Sequence, residues 1–146
     1  MQKTSAGRNP GRKSEDQSYH DRILTILVND LVSQGYTVKA DHIGWPNGSP
    51  GEINGYIPDV IATNGSSTFI FEVEDCTSYK SSHTKDQLTA FSKSAATFVV
   101  IPNVCLNNEG NRYNPSPDMR QTLDSWGLTS VRIATCDPDT RAVSYY

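Results

Sequence analysis

Residues 97–102 read TFVVIP, an apolar run with nothing charged in it. It is far shorter than the roughly 20 residues of a membrane span, and its length suits a strand buried on both faces. Such a strand needs cover on both sides. The segment before it, residues 82–95, places Leu88, Phe91 and Ala95 on one helical face. Residues 67–75 in turn read as a strand, so the order is strand, helix, strand. That crossover makes the two strands parallel partners in one sheet. The segment therefore predicts an α/β fold and excludes an all-helical or all-antiparallel one.

The remaining chain fits around this unit. Ile23, Leu24, Ile26, Leu27, Val28 and Leu31 form an apolar stripe at helical spacing over residues 17–34, and Gly35 supplies a left-handed stop. Residues 36–43 alternate as a strand. Residues 44–55, GWPNGSPGEING, form a loop. A short strand at 56–62 is entered through Pro58, and Asn64-Gly65 is a hairpin signal. Beyond the apolar run come a loop (103–117), a short helix (118–126) ended by Gly127, a strand (130–135) and a terminal edge strand (142–146). The predicted fold is a mixed central β-sheet flanked by helices, in the order αβββαβ(αβ). Residues 17–146 form one domain, behind a flexible basic arm at 1–16.

The arm carries Lys3, Arg8, Arg12 and Lys13 and, up to residue 13, no acid, although the net charge of the chain is −3. The body is therefore acidic. That argues against a general nucleic-acid coat, but not against an enzyme that meets nucleic acid through metal ions. Charged residues at 20% and hydrophobic ones at 36% mark an ordinary folded protein rather than a disordered one. The first residues lack an apolar segment of the secretory type. Cys76, Cys105 and Cys136 are odd in number and form no CxxC pair, so they are expected to be reduced thiols in a cytoplasmic protein.

Chemistry concentrates in the hairpin. Asp59 follows Pro58, and Glu72 and Glu74 lie on the next strand. Alternation puts Phe69, Phe71 and Val73 on one face and Ile70, Glu72 and Glu74 on the other. Two carboxylates 4 Å apart repel by about 4 kcal/mol at an effective dielectric of 20. Such a group persists by taking up protons, by facing water, or by holding a hard cation such as Mg²⁺ (or Mn²⁺). An edge strand with solvated acids is the competing reading.

Pro58-Asp59 followed by Glu72-x-Glu74 resembles the signature of the PD-(D/E)xK nucleases, the restriction-endonuclease-like superfamily. The resemblance spans residues 17–102. It includes Gln34-Gly35-Tyr36, the loop 44–55, the strand Pro58-Asp59-Val60-Ile61-Ala62 and Phe71-Glu72-Val73-Glu74. It is closest to small archaeal Holliday-junction resolvase-like proteins. The resemblance implies that Asp59 and Glu72 ligate the metal, with the Val73 carbonyl completing the site. Glu74 stands where the family usually has Lys. It implies a PD-(D/E)xE variant in which Glu74 holds a second metal or acts as base. Lys85, or Lys80, would then supply the displaced cation.

On the following helix, Gln87 and Phe91 resemble the QxxxY element of exonuclease-like members, which implies that Gln87 contacts phosphate. His83 shares its face, and a polar helix surface explains both equally. Family members often place an acid on the first helix; Asp21 is the nearest candidate, with Asp16 or Glu15 behind it. Trp45 either stacks on a base or folds onto the core. Cys76 near His83 lacks the partners of a cysteine hydrolase.

The expected function is metal-dependent hydrolysis of DNA phosphodiesters, endonuclease-like, on branched or double-stranded DNA. Catalysis falls to Asp59, Glu72, Glu74, Lys85 and Gln87; the partners are DNA and a second copy of the chain in a homodimer, with no membrane. The alternative is the same fold without catalysis, serving as a nucleic-acid or protein binding module.

Overall fold

The computed structural model describes residues 14–146. The elements are α1 (Ser14–Ser33), β1 (Thr37–Ala40), β2 (Val60–Asn64), β3 (Ser67–Val73), α2 (Ser82–Ser92), β4 (Ala96–Pro102), β5 (Cys105–Leu106), β6 (Arg112–Tyr113), α3 (Ser116–Ser125), β7 (Arg132–Cys136) and β8 (Val143–Tyr145). Six strands form one sheet in the order β1-β2-β3-β4-β7-β8. β3, β4 and β7 are parallel, and the outer pairings are antiparallel. This is the mixed α/β architecture expected.

α1 covers one face of the sheet. Its Ile23, Leu24, Leu27 and Leu31 pack with Val38, Val60, Phe71 and Val100. α2 and α3 cover the other, where Leu88, Met119 and Leu123 meet Val99, Ile101 and Ile133, and Phe91 meets Ile70. β4 sends alternate residues into both layers, which is why its sequence is apolar throughout.

Two helices stop by the same device. Gly35 has φ +97°; its N–H donates to the Val32 carbonyl at 3.0 Å, and Tyr36 N–H to that of Leu31 at 3.1 Å. At the end of α3, Gly127 and Leu128 donate likewise to Asp124 and Leu123. Both are Schellman closures, and each buries the leucine behind it.

Several boundaries differ from expectation. α1 is described from Ser14 onward, with Glu15 and Asp16 in its first described turn, where acids suit a helix N-terminus. Residues 14–16 are therefore helical, and the rest of the expected basic arm lies outside the described residues. β1 stops at Ala40, where the backbone turns at His42. β2 starts only at Val60, since Pro58 has no N–H for a ladder. The turn of the β2–β3 hairpin is Gly65-Ser66, flanked by the pair Asn64↔Ser67. Its positive φ is at Gly65 (+61°), so glycine takes the first central position. The expected loop at 103–117 contains the small β5–β6 ribbon.

The cysteine expectation is corrected. Cys76 and Cys105 form a disulfide, and Cys136 is free and buried. The reason is topological: β3 and β4 are parallel neighbours, and each of these cysteines lies just past the end of its strand. Burial pushes the Cys136 thiol up to about 11.

Candidate metal centre

The last ladder pair of β2 and β3 is Val60↔Phe71. The site begins one residue further on. Asp59 N–H donates to Glu72 Oε1 at 3.2 Å, and Val73 N–H donates to Asp59 Oδ2 at 2.7 Å. A carboxylate thus takes over a backbone donor where the strands part. On the other side, Asp41 N–H donates to the Asp59 carbonyl at 2.9 Å. The ends of β1, β2 and β3 therefore meet at Asp59, which is 2% exposed. Asp41, Glu72, Glu74 and Asp75 are buried at the same end of the sheet. Each buried charge carries a penalty of several kcal/mol unless it is compensated.

Compensation comes from two histidines. His20, one of the buried residues of α1, sets Nε2 3.1 Å from Asp59 Oδ2 and Nδ1 2.9 Å from Asp21 Oδ1. Asp21 is held in turn by Gln17 Nε2, which donates at 2.9 Å. His42 sets Nε2 3.2 Å from Asp59 Oδ1. It reaches this position through an unusual backbone. Ile43 N–H donates to the Asp41 carbonyl at 2.9 Å, and His42 between them has φ +72°. This is a γ-turn of the rare left-handed kind, strained by about 1–3 kcal/mol for a residue with a Cβ. The His42 side chain is only 1% exposed.

The electrostatics follow from these contacts. Burial raises the Asp59 carboxyl, but the charge and hydrogen bond of His20, with His42 beside it, outweigh burial and hold it well below the ordinary carboxylate value. Burial likewise raises Asp21, and the hydrogen bonds from His20 and Gln17 reverse the direction. One ring nitrogen from each histidine and one Asp59 oxygen lie within 4.8 Å of one another. Among the described residues, neither ring nitrogen of His42 has a hydrogen-bond partner, and the same is true of Asp41 Oδ2. The 3.2 Å approach of His42 to Asp59 is an ion-pair contact without hydrogen-bond geometry. Buried polar atoms in native proteins are normally satisfied, so these orphans fit a site that accepts a cation.

A solved structure of an XisH family protein from Nostoc punctiforme PCC 73102 is similar over 86% of this chain and 98% of that one, with a TM-score of 0.51 and 11% identity. At this identity the likeness concerns the fold. No protein-family model matches the sequence, nor does any curated protein.

The residues expected from sequence are distributed unevenly around this centre. Glu72 meets Asp59 at its backbone, where Oε1 accepts the Asp59 N–H; among the described residues the donor atoms that close to within 4.8 Å belong to His20, His42 and Asp59, with Glu72 and Glu74 outside that group. Asp21 joins Asp59 through His20. Glu74 Oε1 accepts the Ser78 hydroxyl at 2.6 Å. Gln87 is buried on α2. His83 lies edge-on to the Tyr56 ring. Lys85 is exposed and forms no ion pair among the described residues, while Lys80 pairs with Asp118 at 3.0 Å. Trp45 donates to the Val38 carbonyl at 2.9 Å and packs on the α1 core, which decides for its core reading.

His20, His42 and Asp41 went unnoticed in the sequence. Gln17 and His20 continue the apolar stripe of α1 one turn toward its start, and two polar residues on a buried stripe were the available signal. For His42 the only hint was its place at the end of a strand beside an acid.

Proposed function

We propose that this protein is a metal-dependent phosphodiesterase acting on DNA. The observation that supports the reading is the burial of Asp59 and Glu72 at the splayed end of the β2–β3 hairpin, where Glu72 Oε1 accepts the Asp59 N–H at 3.2 Å. Asp59 and Glu72 would hold a divalent cation, with the Val73 carbonyl and Glu74 beside them. When bound, that cation supplies Lewis acidity toward a phosphoryl oxygen and activates water.

The chain's own residues do the rest. Asp21 fixes the His20 ring, so Nε2 faces Asp59 and can hold or release a proton there. Gln87 offers an amide to phosphate. Glu74 stands in the position of a base. The test is incubation with Mg²⁺, Mn²⁺ or Co²⁺ and linear, branched and single-stranded DNA. We expect cleavage that is abolished by Asp59→Asn and by Glu72→Gln. Intact DNA with every metal and substrate would overturn the reading.

One observation favours a second reading, in which the fold binds DNA or a protein without cutting. The position usually held by Lys is Glu74, and Lys85 stays exposed. DNA retention without cleavage, undiminished in Asp59→Asn, would support it.

A further inference from the structure

The donors gathered around Asp59 are of a different kind from those of an all-oxygen carboxylate site. Two are imidazoles. Mg²⁺ takes oxygen ligands and keeps several waters, whereas imidazole suits Zn²⁺ and its first-row neighbours. We infer that His20, His42 and Asp59 form a binding site for a divalent transition metal of the Co²⁺–Zn²⁺ class, in preference to Mg²⁺.

Three observations converge on this. The ligand atoms lie within 4.8 Å of one another. The ring nitrogens of the buried His42 side chain and Asp41 Oδ2 have no hydrogen-bond partner among the described residues. Asp21 Oδ1, 2.9 Å from His20 Nδ1, is placed to take that N–H, so that Nε2, which faces Asp59, offers its lone pair to a cation once its own proton is released. A carboxylate behind a histidine in this way is the usual support of a metal-ligating imidazole. Asp59 is supported too, by the Val73 N–H at 2.7 Å. Asp41 Oδ2, 3.7 Å from His42 Nε2, is at hand as a fourth donor. The inference rests on reading Asp59 as a metal ligand, but not on hydrolysis of DNA.

The test is calorimetric titration of the full chain with Co²⁺, Zn²⁺ and Mg²⁺, together with visible spectra of the Co²⁺ form. We expect Co²⁺ and Zn²⁺ to bind at least about 10-fold more tightly than Mg²⁺, with d–d bands of a nitrogen-ligated ion. His42→Asn should lower Co²⁺ affinity by about 10–100-fold and alter the bands, and Asp21→Asn should weaken binding within the same range through His20. Asparagine tolerates a positive φ, so His42→Asn keeps the turn; circular dichroism checks the fold, and Asp21→Asn provides a variant outside the ligand set.

Mg²⁺ bound as tightly as Co²⁺, or Co²⁺ binding unaffected by His42→Asn, would overturn the inference. DNA cut in Mg²⁺ by His42→Asn as well as by wild type would sink it too, while leaving the nuclease reading intact. Co²⁺ held through nitrogen with DNA intact in every metal would uphold it and sink the nuclease reading instead.

Discussion

Two acidic side chains, Asp59 and Asp118, each draw partners from distant parts of the chain, with opposite results. Asp118, at the start of α3, accepts the Tyr79 hydroxyl at 2.7 Å and pairs with Lys80 at 3.0 Å, while Tyr113 O–H lies 3.3 Å from that of Tyr79. Water reaches Asp118 and Lys80. Asp59 is sealed, and among the described residues the His42 ring nitrogens and Asp41 Oδ2 beside it have no hydrogen-bond partner. The first cluster is complete without anything added. The second holds strain and unsatisfied atoms in the interior, which the fold alone does not reward. Strain and incomplete bonding at one strand end are the features on which the proposed site rests.

The largest effect that could break this contrast is on stability. Asp59→Ala leaves buried imidazoles and the Val73 N–H without their carboxylate, and should lower unfolding free energy by about 3–5 kcal/mol in urea melts. Asp118→Ala, on an exposed pair, should change it by no more than about 1 kcal/mol. Equal losses would erase the distinction.

The disulfide comes next. Cys76 lies between Glu74 of one cluster and Tyr79 of the other, and the bond to Cys105 closes a separation of 29 residues. Replacing both by serine should lower stability by about 3–4 kcal/mol on the chain-entropy account. Reductant should reproduce that loss in the wild type and leave the variant unchanged.

A smaller effect concerns pH. Burial, then the hydrogen bonds to Tyr113 and Asp118, push the Tyr79 phenol well above its ordinary value. The folded state therefore favours the protonated phenol. Its contribution is full below the unfolded value of about 10 and is lost as pH rises past it. Tyr79→Phe should flatten the decline of stability in alkaline denaturation curves. An unchanged slope would show that this cluster does not couple to folding.

The sheet was legible because its physics is local. An apolar run, two glycine stops and a hairpin turn are written in consecutive residues, and each reappeared within a few positions. The position of the carboxylates was legible for a related reason: acids inside a strand conflict with its pattern, and Asp59, Glu72 and Glu74 are buried at one end of the sheet. The histidines were not. His20 is defined by what α1 packs against, and His42 by a γ-turn that no propensity favours. The disulfide escaped because its two cysteines are separated by a whole crossover; only the parallel pairing of β3 with β4 brings them together.

The two-residue tip at Gly65-Ser66 has a reach out of proportion to its exposed position. It sets which residue of β3 stands opposite Asp59, and a shift of one step would exchange Glu72 for a neighbour pointing to the other face. An inserted residue at this tip must be absorbed within the tip itself. Otherwise it disassembles the Asp59 cluster at the far end of the hairpin without touching any side chain there.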